Sequence, residues 1–481
     1  MTAYPFVFSL KSATTFYAEG DDLIFPVQGS SQGLRWRSPT QGWRKTLACL
    51  AADGADLDGI ARILQSQDGS VDWAKLHYLL GRLDAKGLLS RSVPGNGTVL
   101  ATLLPMTVRF RFALPKLSPD SHYRLSRFVS LRPEQGQWLL ETPLSPAKLW
   151  LHDGQALPLV ACLAQPTSLD TLCRAVPNCK PDKALAVLAL LVAAGAAAPC
   201  DAVGQLPEDG NIALRQWESV DLLFHSRSRP GRHDGLCGAT FRFLGQIDPL
   251  PALKPLAADA GLPLPIPDMA RIQQQDPPFA AVVENRRSIR DYTGRELDLA
   301  LLSEFLFRAA RVKAQTDADS PSRPYPITQR PYPNGGALYE LELYLSVGAC
   351  TGLTAGLYHY EPLGHRLLPI SGLTTDVQQL LDNARLNSGA ATQPPVLLTL
   401  VARCQRPAWK YQGMAYALML KNTGVLYHQL YLAATVMGLA PCGLGMGDSD
   451  LFAEAARLDY YQETAVGEFM LGGRLSGDLG S

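Results

Sequence analysis

The chain has 481 residues, 47% hydrophobic and 18% charged, with 44 Lys+Arg balanced by 44 Asp+Glu. That length holds two or three domains with real cores, and a formal net charge of +0 favours neither a nucleic acid nor an acidic membrane surface as partner. The longest apolar run, 184–198, falls short of the ~20 residues a membrane helix needs and reads as a core helix. No basic-then-apolar leader opens the sequence, so a cytoplasmic location is expected. Nine cysteines without a Cys-x-x-Cys pair or a Cys/His cluster at zinc spacing read as thiols in a reducing compartment, with no metal site expected.

In the first two hundred residues one pattern occurs twice. Leu47, Leu57 and Leu83 are matched by Val160, Leu169 and Leu191 at offsets of 113, 112 and 108 residues, and a near-constant offset indicates duplication. Each copy reads as strands followed by three helices. Segments 23–27 and 34–37 form a hairpin in the first copy; 123–131 and 137–141 form its counterpart, with Gln135 and Gly136 at the turn. Leu76, Leu79, Leu80 and Leu83, and later Leu185, Leu188, Leu191 and Val192, have helical spacing, and Gly87 and Gly195 stand where a C-terminal glycine belongs. Such units resemble winged-helix domains, in particular the peptide-recognition domains of ribosomal peptide biosynthesis. Their helices are poor in Lys and Arg, which argues against DNA reading. Strand addition at a sheet edge is the natural route to peptide capture, and a purely scaffolding role stays open. The modules are placed at 1–100 and 101–205.

Residues 206–275 read as a bridge: a helix in 217–229 interrupted by Pro230 and Gly231, then a Pro/Leu-rich extended linker at 249–267. His225 has no assigned role. Beyond it, Arg286, Ser288 and Arg290 alternate just before a polar turn. On an extended segment they point to one side, and two guanidinium forks with a hydroxyl hold a phosphate dianion; taken alone the run is equally a solvated basic turn. A helix at 297–310 follows, then a Pro/Ser-rich loop, the segment 330–344, a long amphipathic helix at 414–438, a glycine-rich run at 441–447, and Gly472, Gly473 and Arg474 near the end.

This order of pieces resembles the nitroreductase-type flavin proteins, and within them the SagB/ThcOx-type branch of FMN-dependent azoline dehydrogenases, which oxidise thiazolines and oxazolines in peptides to thiazoles and oxazoles. The resemblance implies an α+β domain over 276–481 that binds FMN. Arg286, Ser288, Arg290 and Arg474 would hold its phosphate and ribityl chain. Pro333, Asn334, Gly335 and Gly336 would meet the pyrimidine side of the ring. Gly443, Leu444 and Gly445 would bring a backbone N–H near N5. Lys410 and Tyr411 match the Lys-Tyr motif of the branch. Aromatising an azoline removes a proton from one ring carbon and a hydride from its neighbour; a lysine in a dry pocket can take the proton, and a tyrosine beside it can share it. On the residues alone, Lys410 is a snorkelling side chain at a helix start.

The resemblance also implies a homodimer in which FMN touches both subunits, and reoxidation of the flavin by O2. The substrate would be an azoline-containing peptide, ribosomal or carrier-tethered, supplied by a cyclodehydratase or an assembly-line partner. Glu342 and Tyr344 are expected to be structural, Cys442 to pack, and Lys421 and His428 to lie outside the catalytic set. Two alternatives stand beside this one: an NAD(P)H-dependent nitro or quinone reductase, and a peptide-recruiting module with a vestigial flavin site.

Overall fold

In the computed structural model, which describes residues 4–475 apart from 12–13, 27–32, 96, 153, 155, 177–178 and 257–260, the doubled pattern becomes a doubled element order. The chain divides into two compact units at 235/236. The first unit opens with β1 (Val7–Leu10), the meander β2 (Tyr17–Glu19), β3 (Asp22–Phe25) and β4 (Leu34–Trp36), helices α1 (Gln41–Ala51), α2 (Leu57–Asp68) and α3 (Trp73–Ala85), and the hairpin β5 (Leu89–Pro94) and β6 (Val99–Pro105). The order then returns as β7 (His122–Leu125), the meander β8 (Ser130–Glu134), β9 (Gln137–Glu141) and β10 (Ala147–Leu151), then α4 (Ala156–Cys162), β11 (Thr167–Ser168), α5 (Leu169–Arg174), α6 (Pro181–Ala193) and β12 (Ala197–Cys200).

The likeness reaches single hydrogen bonds. β1 lies between a bridge at Ala55 and β5, as β7 lies between β11 and β12. Asp56 caps α2 through the Gly59 N–H, and Ser168 caps α5 through the Thr171 N–H, each worth about 1 kcal/mol. After α3 and α6 the chain turns at Gly87 and Gly195, with φ of 65° and 68°, and the N–H groups of Leu88 and Ala196 return to Leu83 and Leu191 carbonyls.

The copies differ at one edge. β10 pairs with β6, so both copies share a six-stranded sheet in the order β1-β5-β6-β10-β9-β8. The equivalent strand β4 pairs with β3 alone among the described residues. The expected boundary at 100/101 therefore falls within β6.

Three expectations are refined. The apolar run 184–198 is α6, the turn at Gly195 and the start of β12, not one helix; Val187, Leu188, Leu190 and Leu191 are buried at its centre, worth roughly 2 kcal/mol for each leucine. The stretch 123–131 is split between β7 and β8, because Glu208 accepts from Ser126 Oγ at 2.7 Å and from the Arg127 N–H at 3.0 Å and turns the chain there. The hairpin is β8–β9, with Gln135 and Gly136 as its two-residue turn at φ 52° and 76°. In the first copy Val27 lies outside the described residues.

The second unit is built on a seven-stranded antiparallel sheet. Its strands, in spatial order, are Leu262–Pro263, Arg366–Gly372, Gly356–Glu361, Leu341–Val347, Val396–Arg403, Glu463–Gly472 and Ala440–Gly443. Helices Leu299–Ala310 and Ala415–Val436 cover one face, packing Phe305, Leu306, Leu426 and Leu430 on Leu343, Leu345 and Leu400. Helices Thr375–Ser388 and Ser449–Ala456 cover the other, packing Val377, Leu381 and Phe452 on Tyr344, Leu397 and Val401. Central strands covered on both faces are largely apolar; Leu341–Val347 and Val396–Arg403 are buried throughout, with Glu342, Ser346, Thr399 and Arg403 as buried polar side chains among the leucines and valines. Part of the expected extended linker, Leu262–Pro263, adds an edge strand to this sheet, while 257–260 lie outside the described residues.

Candidate functional site

The arginine run follows helix Phe279–Asn285, whose last turn gives way to extended backbone at Arg286 (φ −61°, ψ 121°). The Ile289 N–H donates to the Pro441 carbonyl at 2.8 Å, which lays 286–290 along the start of the glycine-rich run. Tyr431 joins the two. Its hydroxyl accepts the Gly443 N–H at 2.7 Å and sits 2.8 Å from Ser288 Oγ, and the Arg286 guanidinium lies 5.4 Å from its ring centroid. Burial pushes the Cys442 thiol up, opposed by the charge of nearby Arg290. Arg474 donates from Nε to the Met437 carbonyl at 2.7 Å, just past the long helix. Among the described residues no carboxylate pairs with Arg286, Arg290 or Arg474, so this corner holds positive charge without its anion, the donor set a phosphate monoester fits.

The glycine-rich run has already spent two of its donors. The Gly443 N–H goes to Tyr431, and the Leu444 N–H goes to the Glu468 carbonyl at 2.8 Å. The exposed Gly445 N–H, like those of Met446 and Gly447, has no protein acceptor among the described residues, so this end of the run has donors to offer a ligand. Glu468 stands beside Gly447, and burial pushes its carboxyl up to about 7.

A second set forms around Lys410, at the end of helix Gln405–Lys410 and 9% exposed. Its ammonium donates to the Tyr325 hydroxyl and lies 4.7, 5.0 and 5.8 Å from the ring centroids of Tyr325, Tyr411 and Phe241. The helix beneath is pinned. Arg406 donates to the carbonyls of Leu338, Leu250 and Pro326, and Trp409 to that of Ile247; burial, with Arg403 nearby, lowers Arg406 to about 10. The turn after Pro333 closes over Lys410. Gly336 has φ 67°, and a Cβ there would lie 2.6 Å from the Tyr411 hydroxyl and 2.7 Å from Lys410 Nζ, so glycine alone fits. Gly335 meets Leu418 of the long helix equally closely, at 2.6 Å. The Asn334 amide is engaged within the protein: it donates to Glu340 at 3.0 Å and accepts the Tyr339 N–H at 2.9 Å.

The two sets meet the long helix at different places. Gly335 touches Leu418 and Asn422, whereas Ser288 and Gly443 touch Tyr431. Asn422 and Tyr431 are nine residues apart, about 14 Å along the axis and half a turn out of phase. Within one chain, the lysine set and the arginine set thus face away from each other.

Glu342 and Tyr344 lie in the core. Burial pushes the Glu342 carboxyl up, but His359 at 3.0 Å, with Arg330 and Arg403, outweighs it and holds the group at about 2. His225 stacks on Trp217 at 5.8 Å. In the first unit a cavity of about 520 Å³ is lined by Met106, Leu139 and Phe224 with Arg132, Glu141 and Arg227. Its charges are already matched, Glu141 being held by both arginines, so the unspent chemistry lies in the second unit. Reading residues alone misses Tyr325, Tyr431, Asn422 and Glu340; the spacing of Tyr427 and Tyr431, one helical turn apart beside the glycine run, is the only signal for any of them.

Residues 123–234 match the family model Cyanobactin oxidase ThcOx, and residues 283–473 match the nitroreductase family. The chain joins a ThcOx-type segment to a nitroreductase-family domain. The protein of Methanocaldococcus jannaschii named nitroreductase MJ1384 is 28% identical over 196 residues, 41% of this chain and 90% of that protein. The Escherichia coli microcin B17-processing protein McbC is 32% identical over 121 residues, 23% of this chain and 42% of McbC. This chain therefore spans less than half of McbC's length. A chain of the solved E. coli microcin synthetase McbBCD complex with truncated pro-MccB17 bound is 22% identical, with a TM-score of 0.31, over 44% of this chain and 87% of that one. Nitroreductase-family proteins typically use FMN.

Proposed function

We propose that the protein is an FMN-dependent dehydrogenase that converts thiazoline or oxazoline rings of a peptide to thiazole or oxazole. What carries this is the crowding of Lys410 Nζ and the Tyr411 hydroxyl against Gly336, a base and a hydroxyl on the turn that would meet the flavin ring. FMN, when bound, supplies the acceptor for the hydride and passes the two electrons on to O2. The rest falls to the chain. Lys410 takes the proton from the neighbouring ring carbon, and Tyr411 shares it. Arg286, Ser288, Arg290 and Arg474 would hold the phosphate, and the Gly445 N–H would be available to the ring. The aromatic rings about Lys410 keep water from the base.

The split along the long helix supports a homodimer, in which the arginine set of one chain and the lysine set of its partner would line one flavin. The first unit would recruit the peptide, which a cyclodehydratase or an assembly line has cyclised. With its duplicated modules read as winged helices, the open edge of β4, beside a shallow groove lined by Leu34, Trp36, Leu79 and Arg82, favours the first copy as the place where a peptide strand adds; in the second copy β6 fills that place. The match over 90% of MJ1384 favours, as a second reading, an NAD(P)H-dependent reductase. Released FMN and a loss of two hydrogens from an azoline peptide test the first reading. Lys410→Ala is expected to stop azole formation while FMN stays bound and NAD(P)H-driven dye reduction is unchanged. Full azole formation by Lys410→Ala would remove the lysine from the mechanism.

A further inference from the structure

Glu340 is fully buried, yet it forms no ion pair among the described residues. Its two oxygens accept from Asn334 Nδ2 at 3.0 Å and Asn422 Nδ2 at 2.7 Å. Two backbone groups fix this pattern. The Gly335 N–H, which can only donate, points at Asn422 Oδ1 at 3.2 Å, and the Tyr339 N–H points at Asn334 Oδ1 at 2.9 Å. Each asparagine must therefore turn its NH2 toward residue 340, and that residue must accept on both sides. A carboxylate does so; glutamine, with one acceptor and one donor head, cannot. Closure of this brace matters because the turn is unfavourable by itself: Gly336, Ala337 and Tyr339 have φ of 67°, 54° and 46°, left-handed backbone that non-glycine residues keep only when their surroundings impose it.

We infer that Glu340 is a positioning residue, which through Asn334 and Asn422 locks the 334–339 turn onto the long helix and so holds Gly336 beside Lys410 and Tyr411. The brace belongs to the protein alone; its effect on cofactor binding rests on the flavin reading above. The test is a reciprocal exchange in the full chain. Glu340→Gln sets two NH2 groups against each other, and Asn422→Asp sets two carboxylates against each other. In Glu340→Gln/Asn422→Asp the new amide donates to the new carboxylate, whose other oxygen keeps the Gly335 N–H.

Backbone hydrogen exchange over 334–339 in FMN-free protein, and the FMN dissociation constant, are read for all three. Each single change should speed exchange and weaken FMN by about tenfold or more, the effect of a lost buried hydrogen bond, and the double change should restore most of both. Singles that exchange like the unaltered chain, or a double no better than the worse single, would overturn the brace. Should the singles not fold, folding of the double decides. Unaltered protein that takes up no FMN would sink the flavin reading and leave the exchange data to judge Glu340.

Discussion

Arg286→Ala/Arg290→Ala removes phosphate binding from one chain, and Lys410→Ala removes the base from another. If the two sets served one flavin within a single chain, mixing these variants would restore nothing. The geometry says otherwise. Asn422 and Tyr431 mark the two sets on one helix, and they stand about 14 Å and half a turn apart. In the proposed symmetric dimer, which presents the same surfaces twice, each site would take its arginines from one chain and its lysine from the other. In a mixed dimer one site is then whole and the second lacks both. Dimers carrying one copy of each variant, isolated through two affinity tags, should bind one FMN per pair and form azole at about half the unaltered rate, while each variant alone loses ~10²-fold or more. The assay is mass loss of two hydrogens per ring. A mixed dimer that binds FMN yet is as inactive as its parents would refute the shared site, and so would an active monomer.

Three further outcomes are expected. Tyr431→Phe removes the hydroxyl that joins Ser288 to the Gly443 N–H; at about 1 kcal/mol for each of the two hydrogen bonds, FMN affinity measured by fluorescence should fall by up to roughly thirtyfold with the fold intact. Glu468 should make stability depend on pH. Burial raises its folded value from 4.5 to about 7, so below pH 4.5 both states hold the proton, and between 4.5 and 7 the unfolded chain alone ionises and stability falls by about 3 kcal/mol; urea unfolding of Glu468→Gln should lack that slope, and an unchanged slope would show that Glu468 does not cause it. A benzophenone side chain replacing exposed Arg35 on β4 should cross-link an azoline peptide, whereas one replacing Lys148 on β10 should not. The reverse result would move peptide binding to the second copy.

What could be read in advance was whatever depends on local spacing. Leu76, Leu79, Leu80 and Leu83 announce α3 because one face of a helix repeats about every 3.6 residues. The arginine run, the double glycine and the Lys-Tyr pair are contiguous motifs, so each is visible without the fold. Tyr325 was illegible: it lies in a Pro/Ser-rich loop with no periodicity and meets Lys410, 85 positions further along, only in the folded chain. Glu340 looked like one more strand residue, and nothing local distinguishes a carboxylate that must accept twice. The split of 123–131 was hidden for the same reason, since its cause, Glu208, lies far along the chain.

The seam between β6 and β10 makes the repeat inseparable. Two tandem copies invite dissection into halves, but a fragment beginning at residue 101 would keep the β6 residues that pair with β10 and lose β5 from the other side of β6, and that open edge is a template for sticking to other chains. A fragment ending near residue 100 would lose most of β6, the strand that both copies share. The two copies thus share one sheet, and a module cut from the first unit must take both to keep β6 paired on its two sides.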